Sequence, residues 1–340
     1  MKVDRMSATS ALGRHAQPRH NRLLMFLGGF VLVLAILPLV AGASPYLLGL
    51  LISALILSGL ALSWALLGNL GGMVSFGHAA FFGVGSYASA LLAGKLGLPV
   101  LLAIPLGGLS ATIASLAMLP ALRLSGPYFA LAILAYAQIF RILATELDWL
   151  TGGSAGLQRY PGLPDILGLD LASRAGSYVL VLVAVVLSAL VYMAIRRSHT
   201  GTALRAIADS EDATRVVGVN STLLKTWMLL LSAFIAGVFG ALNAHIIGFL
   251  EPDYAFSGTW SVMPIIAAVF GGYRTVLGPV LGAVVIYLFD QVVAKSLIPV
   301  GHQILLGVVL AVMVLVAPNG LAGLMSRFRA KLGEKSHAGA

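Results

Sequence analysis

The chain of 340 residues is 59% hydrophobic and only 10% charged, with a mean hydropathy of +0.98 and no cysteine. Soluble domains carry about 25% charged residues, so this composition excludes an ordinary water-soluble domain, and the lack of cysteine excludes disulfides and thiolate chemistry. The formal net charge of +9 raises the question of nucleic-acid binding, which depends on where the charges lie.

The basic residues collect in three segments, each beside a hydrophobic stretch. They are the N-terminal tail (Lys2, Arg5, Arg14, Arg19 and Arg22), a central polar segment (Arg196, Arg197, Arg205, Arg215 and Lys225) and the C-terminal tail (Arg327, Arg329, Lys331 and Lys335). Such segments flank membrane spans on the cytoplasmic side. Because no basic residues alternate with aromatic residues on one face, no nucleic-acid partner is expected.

Apolar stretches that could each form a transmembrane helix follow one another along the chain. A bilayer core requires roughly 20 apolar residues per helix, and the candidates are residues 23–42, 46–67, 73–94, 99–121, 127–147, 177–195, 226–248, 260–273, 276–294 and 302–318. This pattern predicts an all-α polytopic membrane protein with about ten helices and both termini in the cytoplasm. Eight is the alternative count, because 73–94 is rich in glycine and 260–273 is short enough to be broken or re-entrant.

The first apolar stretch allows two interpretations. Ala41 and Ala43 in "LPLVAGASP" resemble a signal-peptidase site, but the long polar segment before the stretch and its length favour an uncleaved first helix. The predicted organisation is therefore a cytoplasmic N-terminal tail (1–22), a transmembrane domain (23–318) and a cytoplasmic C-terminal tail (319–340).

No segment of the chain offers a soluble catalytic domain. The longest polar stretches, 148–176 outside and 196–225 inside, are too short to bury a core of their own. The sequence contains neither G-x-x-x-x-G-K-[ST] nor H-E-x-x-H, and its histidines lack metal-ligand spacing. We therefore expect no enzymatic activity and no cofactor or metal bound by this chain, which leaves transport or a scaffold role.

The central polar segment, "RRSHTGTALRAIADSEDATRVVGVNSTLLK" (196–225), alternates charged and apolar residues. This pattern predicts two short amphipathic helices with a turn near Ser210 and an end at Gly218. Two interpretations remain open: a solvated loop whose charges set the topology, or a docking surface for a cytoplasmic partner.

Small residues recur every four positions in the later spans, and polar residues interrupt several others. The small residues predict close helix packing; they are Ala233, Gly237 and Ala241, then Ala236, Gly240 and Ala244, then Gly278 and Gly282. Polar side chains inside spans usually face protein or a water-filled path, so the candidates for a translocation path are Asn69, Ser75, His78, Tyr87, Tyr128 and Gln138. No predicted span carries a central Asp or Glu, which disfavours ion coupling.

Seven stretches occur in a fixed order between about residues 46 and 321. They are "GMVSFGHAAFFGVGSYASALL" (72–92), "LRLSGPYFALAILAYAQI" (122–139), "LTGGSAGL" (150–157), "GTALRAIADSEDATRVVGVN" (201–220), "LSAFIAGVFGAL" (231–242), "VFGGYRTVLGPVLGA" (269–283) and "APNGL" (317–321). In this order they resemble the inner-membrane permease subunits of branched-chain amino-acid ABC importers, of the LivM type.

The resemblance implies an ABC importer permease fold in the bacterial inner membrane, and a role for each loop. The 201–220 loop would contact the ATPase subunits, with Asp212, Ala213, Thr214 and Gly218 at the positions of the E-A-A-x-x-x-G coupling motif and Arg205, Asp209 and Glu211 beside them. Asp replaces Glu and Thr replaces the second Ala in that motif. The outer loops would dock a periplasmic binding protein at Thr151, Gly152, Gly153, Gly156, Glu251 and Asp253.

The resemblance also implies partners and a substrate class. The partners would be two cytoplasmic ATP-binding subunits that use ATP-Mg, a homologous sister permease, a periplasmic amino-acid-binding protein and membrane lipid. The substrates would be branched-chain or related hydrophobic amino acids, with urea, amides and other amino acids as alternatives, since Gln138 stands where relatives often carry an acid. An ion-coupled secondary transporter and a non-transporting membrane assembly are the competing hypotheses.

Overall fold

The computed structural model describes residues 44–124, 126–166, 168–272, 275–316, 320, 321 and 323. The predicted first span at 23–42, the N-terminal tail and the possible cleavage site at Ala41 and Ala43 lie outside the described residues, as does nearly all of the C-terminal tail.

The described chain is helical apart from short connections and one two-stranded hairpin. The hairpin pairs β1 (Asp165–Ile166) with β2 (Leu169–Asp170) in antiparallel register. The helices are α1 (Pro45–Ala65), α2 (His78–Leu96), α3 (Val100–Leu116), α4 (Pro127–Glu146), α5 (Asp148–Thr151), α6 (Arg174–Arg197), α7 (His199–Asp209), α8 (Glu211–Val216), α9 (Ser221–Ile247), α10 (Pro252–Ala255), α11 (Thr259–Gly271), α12 (Gly278–Leu288), α13 (Lys295–Leu297) and α14 (His302–Val316).

Seven helical segments of the described chain are long and apolar enough to cross a bilayer. They are Pro45–Leu70, His78–Leu96, Pro127–Glu146, Arg174–Arg197, Ser221–Ile247, Pro252–Gly271 and Gly278–Leu297, and the shorter apolar helices Val100–Leu116 and His302–Met313 accompany them. The first and the seventh are extended by π-helical turns at Leu66–Leu70 and Phe289–Ala294. The prediction of a mostly helical protein with several membrane-spanning helices is therefore confirmed, whereas the count of ten spans and the cytoplasmic position of both termini stay predictions.

Three predicted span limits differ from the helices in the structure. The span predicted at 73–94 begins at His78, because residues 71–77 are not helical. The span predicted at 99–121 ends at Leu116 and is followed by a 3-10 turn, Leu119–Arg123. The span predicted at 260–273, expected to be short or broken, begins earlier as α10 and is interrupted before α11.

Helix α9 lies at the centre of the helix bundle and packs against α1, α2 and α3. Glycines bring these backbones together: a Cβ on Gly85 would overlap the backbone of Gly237, and one on Gly240 would overlap the carbonyl of Phe82. On α3, a Cβ on Gly107 would lie 2.6 Å from the carbonyl oxygen of Gly85. The small residues predicted on α9 thus form the contact among α2, α3 and α9. Such close packing is expected in a membrane, where no hydrophobic force drives helices together.

A second set of close contacts joins α11 and α12, which both pack against α1. A Cβ on Gly282 would overlap the carbonyl of Ala267, and one on Gly271 would overlap that of Gly278. The predicted Gly278 and Gly282 pair therefore lies at a helix crossing. Together the two contacts leave α1 almost entirely surrounded by protein, with 15 buried residues.

The three-helix glycine contact predicts a sharp difference between two substitutions. Gly85→Val places atoms inside the backbone of α9 and we expect a loss of about 1–3 kcal/mol of stability, as for overpacked cores. Gly307→Val is the matched control, because a Cβ at Gly307 meets no atom within 4 Å. Thermal unfolding of both variants in detergent measures the difference; equal midpoints would contradict the packing.

Candidate functional site

A non-helical segment, residues 71–77, interrupts the chain between α1 and α2 among buried neighbours. Two of its amide groups, those of Gly71 and Met73, donate to the carbonyl oxygen of Leu67 at 3.1 Å. The indole Nε1 of Trp64 donates to the carbonyl oxygen of Ser75 at 2.9 Å. These bonds satisfy polar groups in the connection between the span that ends at Leu70 and the span that begins at His78.

Helix α2 begins in a buried polar cluster shared by four helices. His78 Nε2 is hydrogen-bonded to Ser232 Oγ on α9 at 3.1 Å, and the Ser63 hydroxyl on α1 donates to the carbonyl oxygen of Ser232 at 2.7 Å. The amide of Ala79 donates to Ser261 Oγ on α11 at 3.0 Å. Ser63, His78 and Ser232 are fully buried, so the predicted path residue His78 lies in a packed hydrogen-bond cluster.

A cavity of about 880 Å³ adjoins the non-helical segment, and we call it the vestibule. Its wall is formed on one side by residues 71–74 and 76, on a second by the start of α4, and on a third by residues 207–211 of α7 and α8. The lining is mostly apolar and includes Met73, Phe76, Phe129, Leu131 and Leu134, with Lys225 at the edge. A chamber of this kind suits an apolar solute.

Direct packing connects the non-helical segment to the surrounding elements. A Cβ on Gly72 would lie 3.1 Å from the Cα of Ala208 on α7 and 3.2 Å from its Cβ. A Cβ on Gly77 would overlap Ile133 on α4. Gly72 also adopts φ = +66°, a conformation that disfavours other residues. A displacement of α7 would therefore act directly on the backbone of the segment.

The predicted amphipathic pair of helices is present and divides at the predicted place. Ser198 and Ser210 cap α7 and α8, accepting from the amides of Gly201 at 3.2 Å and Ala213 at 3.4 Å. Gly218 follows α8 at φ = +87°. The apolar side of α7 is buried, whereas Val216 and Val217 at the tip of the loop are 87% and 75% exposed.

Charged residues of this loop differ in how they are paired. Glu211 binds Arg215 at 2.8 Å and Lys225 on α9. Partial burial acts to raise the pKa of Glu211, but the hydrogen bonds and charges of Lys225 and Arg215 outweigh it and hold that pKa below its usual value. Glu211 therefore ties α8 to α9. Other predicted coupling residues, Arg205, Asp209, Asp212, Ala213 and Gly218, are exposed, and Thr214 is buried.

The remaining predicted path residues do not meet in one chamber. Asn69, in the π-helical turn that extends α1, donates from Nδ2 to the hydroxyl of Tyr192 on α6. Ser75 is fully buried in the non-helical segment 71–77. Tyr87 lies in the middle of α2, with its hydroxyl 3.5 Å from the carbonyl oxygen of Leu250. Tyr128 is 71% exposed, and Gln138 is exposed on the same helix. Their role in transport stays a prediction.

The predicted docking residues come together from two separate loops. A β-bridge joins Leu157 to Leu250, with amide-to-carbonyl distances of 2.7 and 3.0 Å. It brings Gly156 against Leu250, next to Glu251 and Asp253. Asp253 is also bound by Arg141 of α4 at 2.7 Å, with 81% of its side chain exposed.

Internal bonds and backbone geometry shape the first of these two loops. The buried hydroxyl of Thr151 donates to the carbonyl oxygens of Ala144 and Leu147 at 2.6 and 2.8 Å, so it holds the loop on the end of α4. Gly152, Gly153 and Gly156 all have positive φ. Whether these residues bind a partner protein stays a prediction.

Several residues that form the polar cluster and the vestibule were not predicted from the sequence. Ser63 and Ser232 form the cluster around His78, and Met73, Phe76 and Leu131 line the vestibule. Single serines in apolar helices are a signal for such clusters, whereas the vestibule residues have the composition of any membrane helix. Within the described part of the chain, no three His, Asp or Glu side chains converge as metal ligands.

Comparison with known proteins supplies the family. Residues 46–317 match the family described as branched-chain amino acid transport system, permease component. The chain is similar to the high-affinity branched-chain amino acid transport system permease protein LivM of Salmonella typhimurium, 30% identical over 280 residues, and to that of Escherichia coli K12, 29% identical over 280 residues. Each comparison covers 74% of this chain and 64% of the relative.

Three further facts show how far that similarity extends. The chain spans less than two thirds of the length of these curated relatives, and a search of solved structures finds no match. The family match, by contrast, covers most of the chain, from the start of the second predicted span (46–67) to the end of the last (302–318). The chain therefore belongs to the family of membrane permease components of branched-chain amino-acid transport systems.

Proposed function

We propose that this chain is the permease subunit of an ATP-driven importer that carries branched-chain or related hydrophobic amino acids across a bacterial inner membrane. It would act with two cytoplasmic ATP-binding subunits, a sister permease and a periplasmic amino-acid-binding protein. Ten spans would cross the membrane, with both termini in the cytoplasm. Family membership and the names of the relatives support this proposal.

The observation that carries the proposal is the shared wall between the coupling loop and the vestibule. Residues 207–211 of α7 and α8 line the same chamber as residues 71–74 and 76. A partner that moves α7 and α8 would therefore change the size of an apolar chamber at the end of the helix bundle. An ATPase on a separate subunit can act on the chamber only through such a mechanical connection. To switch the permease between two states, the ATPase must contact those two states differently.

The exposed valines at the tip of the loop support a docking role for α8. Val216 and Val217 are apolar and almost fully exposed, and Asp212 lies on the same short helix without an ion-pair partner among the described residues. An apolar tip with charged flanks fits the composition of a transient protein interface. The basic residues nearby support a cytoplasmic position for this loop.

Helix α4 supports the proposal of a sister permease. It buries one face on the bundle and exposes an apolar face that carries Leu131, Leu134, Ile139, Ile142 and Leu143. The start of this helix also lines the vestibule. A second permease seated beside α4 would close the chamber laterally, so the pore would form between the two subunits.

The competing function is an ion-coupled secondary transporter. Among the described spans, Asp290 in the π-helical turn is the buried carboxylate, with His302 3.6 Å away. It lies far along the chain from the vestibule and outside its lining. This arrangement favours an energy source outside the chain over an ion bound in the path.

Reconstitution distinguishes the two functions. We expect proteoliposomes containing the chain, its ATPases, sister permease and binding protein to accumulate labelled leucine only with ATP and binding protein present. Uptake by the chain alone under an ion gradient would instead establish the secondary transporter. Proteoliposomes that lack the chain provide the background.

The coupling role of the loop is tested by two glycines that share the same backbone strain. Gly218 and Gly97 have φ of +87° and +64°, and a Cβ at either meets no atom within 4 Å. Alanine at each costs about 1–2 kcal/mol locally. We expect Gly218→Ala to lower ATP-driven uptake at least fivefold with normal membrane insertion, and Gly97→Ala, outside the coupling loop, to retain uptake. Equal uptake by both variants would overturn the coupling assignment.

The outer docking surface is tested through its exposed carboxylate. Removing the charge with Asp253→Asn should raise the concentration of binding protein needed for half-maximal uptake about threefold, without changing the maximal rate, because a rim charge acts mainly on association. Asp165→Asn is the control, since Asp165 is exposed in the β-hairpin outside this surface. The assignment fails if both variants behave as the wild type does at low salt.

A further inference from the structure

A second cavity, of about 410 Å³, lies next to the vestibule and has a polar wall. It is bordered by Asn69 at the end of α1, Arg196 in the last turn of α6, and Arg205 and Asp209 on α7. Gly72, Ala208 and Asp209 line both this cavity and the vestibule. An apolar chamber and a cationic chamber therefore adjoin across the Gly72 backbone and the end of α7.

The two arginines differ from the other cations of the loop. In the described ranges, Arg215 and Lys225 share the carboxylate of Glu211, whereas no carboxylate lies within 4 Å of the guanidinium nitrogens of Arg196 or Arg205. The Arg205 side chain is fixed by a hydrogen bond within α7, because its Nε donates to the carbonyl oxygen of Gly201 at 3.2 Å.

The two arginines border the same small cavity as Asn69, and Asn69 Nδ2 donates to the Tyr192 hydroxyl. Asp209 supplies a negative charge on the side that faces the vestibule. Across a few residues the site thus presents two guanidinium groups, then a carboxylate, then an apolar chamber.

We propose that the two cavities together bind a free α-amino acid with an apolar side chain on the cytoplasmic side. Its carboxylate would lie between Arg196 and Arg205, where charge-assisted hydrogen bonds are strongest. Its ammonium group would contact Asp209, and its side chain would enter the vestibule toward Met73, Phe76 and Leu131. This inference rests on the proposed function, because it gives the released solute a site of its own at the exit.

The position of this site implies product inhibition. A bound amino acid would contact α7 on one side and the non-helical segment on the other, so it would tie these two elements together. A ligand that binds one arrangement more tightly shifts the chain toward it. Accumulated amino acid would then slow the movement of α7 and α8 and, with it, further import.

Equilibrium binding of labelled leucine to the full chain in lipid nanodiscs tests the site without the binding protein. Arg196→Gln should weaken leucine binding about tenfold. Arg197→Gln is the matched control, since Arg197 is exposed and borders neither cavity, and it should bind leucine within twofold of the wild type. Isoamylamine, which lacks the carboxylate, should bind both variants equally and so reports that Arg196→Gln remains folded.

Two results would overturn the inference: no saturable leucine binding by the wild-type chain, or equal weakening by Arg196→Gln and Arg197→Gln. ATP-driven leucine uptake by the assembled transporter, measured in parallel, separates this failure from that of the proposed function. Absent leucine binding together with normal ATP-driven uptake would contradict only the proposed cytoplasmic site. Normal leucine binding without ATP-driven uptake would contradict the proposed importer function but not the site.

Discussion

The structure depends on how the chain satisfies backbone polar groups where a helix stops among buried residues. An unpaired amide or carbonyl costs free energy where it is buried, so buried members of the connection at residues 71–77, such as Met73, Ser75 and Gly77, need partners, whereas Gly72 and Val74 are exposed. Trp64 and Ser75 supply partners within this connection, and Ser261 accepts from the Ala79 amide at the start of α2. Because they belong to α1, α11 and the segment itself, the break joins helices that are distant in sequence and is held at one position.

That break also positions the vestibule. The non-helical segment lines a chamber with mostly apolar walls, together with the start of α4 and residues 207–211. Gly72 and Gly77 lack side chains where α7 and α4 approach. The amphipathic loop therefore touches the rest of the described chain at a non-helical connection between two spans.

Sequence patterns predicted local features well and long-range partners poorly. The division of α7 and α8 at Ser210 follows from amphipathic spacing and a capping serine, and the α9 stripe follows from its four-residue repeat of small residues. The start of α2 was predicted five residues early because its amide partner, Ser261, lies about 180 residues away. Nothing in the spacing of Tyr128 or Gln138 distinguished an exposed face of α4 from a path. The order of motifs along the chain, rather than any single residue, carried the family resemblance that the comparisons confirm.

The central claim is that α7 acts on the non-helical segment through the contact of Gly72 with Ala208, and a reversible cross-link tests it most directly. The chain has no cysteine, and a Cβ at residue 72 lies 3.2 Å from that of Ala208, slightly below the range of about 3.5–4.5 Å in disulfides, so a small backbone shift at Gly72 allows the cross-link. In the double variant Gly72→Cys and Ala208→Cys, oxidation should abolish ATP-driven leucine uptake and reduction should restore it, with each single variant insensitive to oxidation. Full uptake by the quantitatively cross-linked protein would contradict the account.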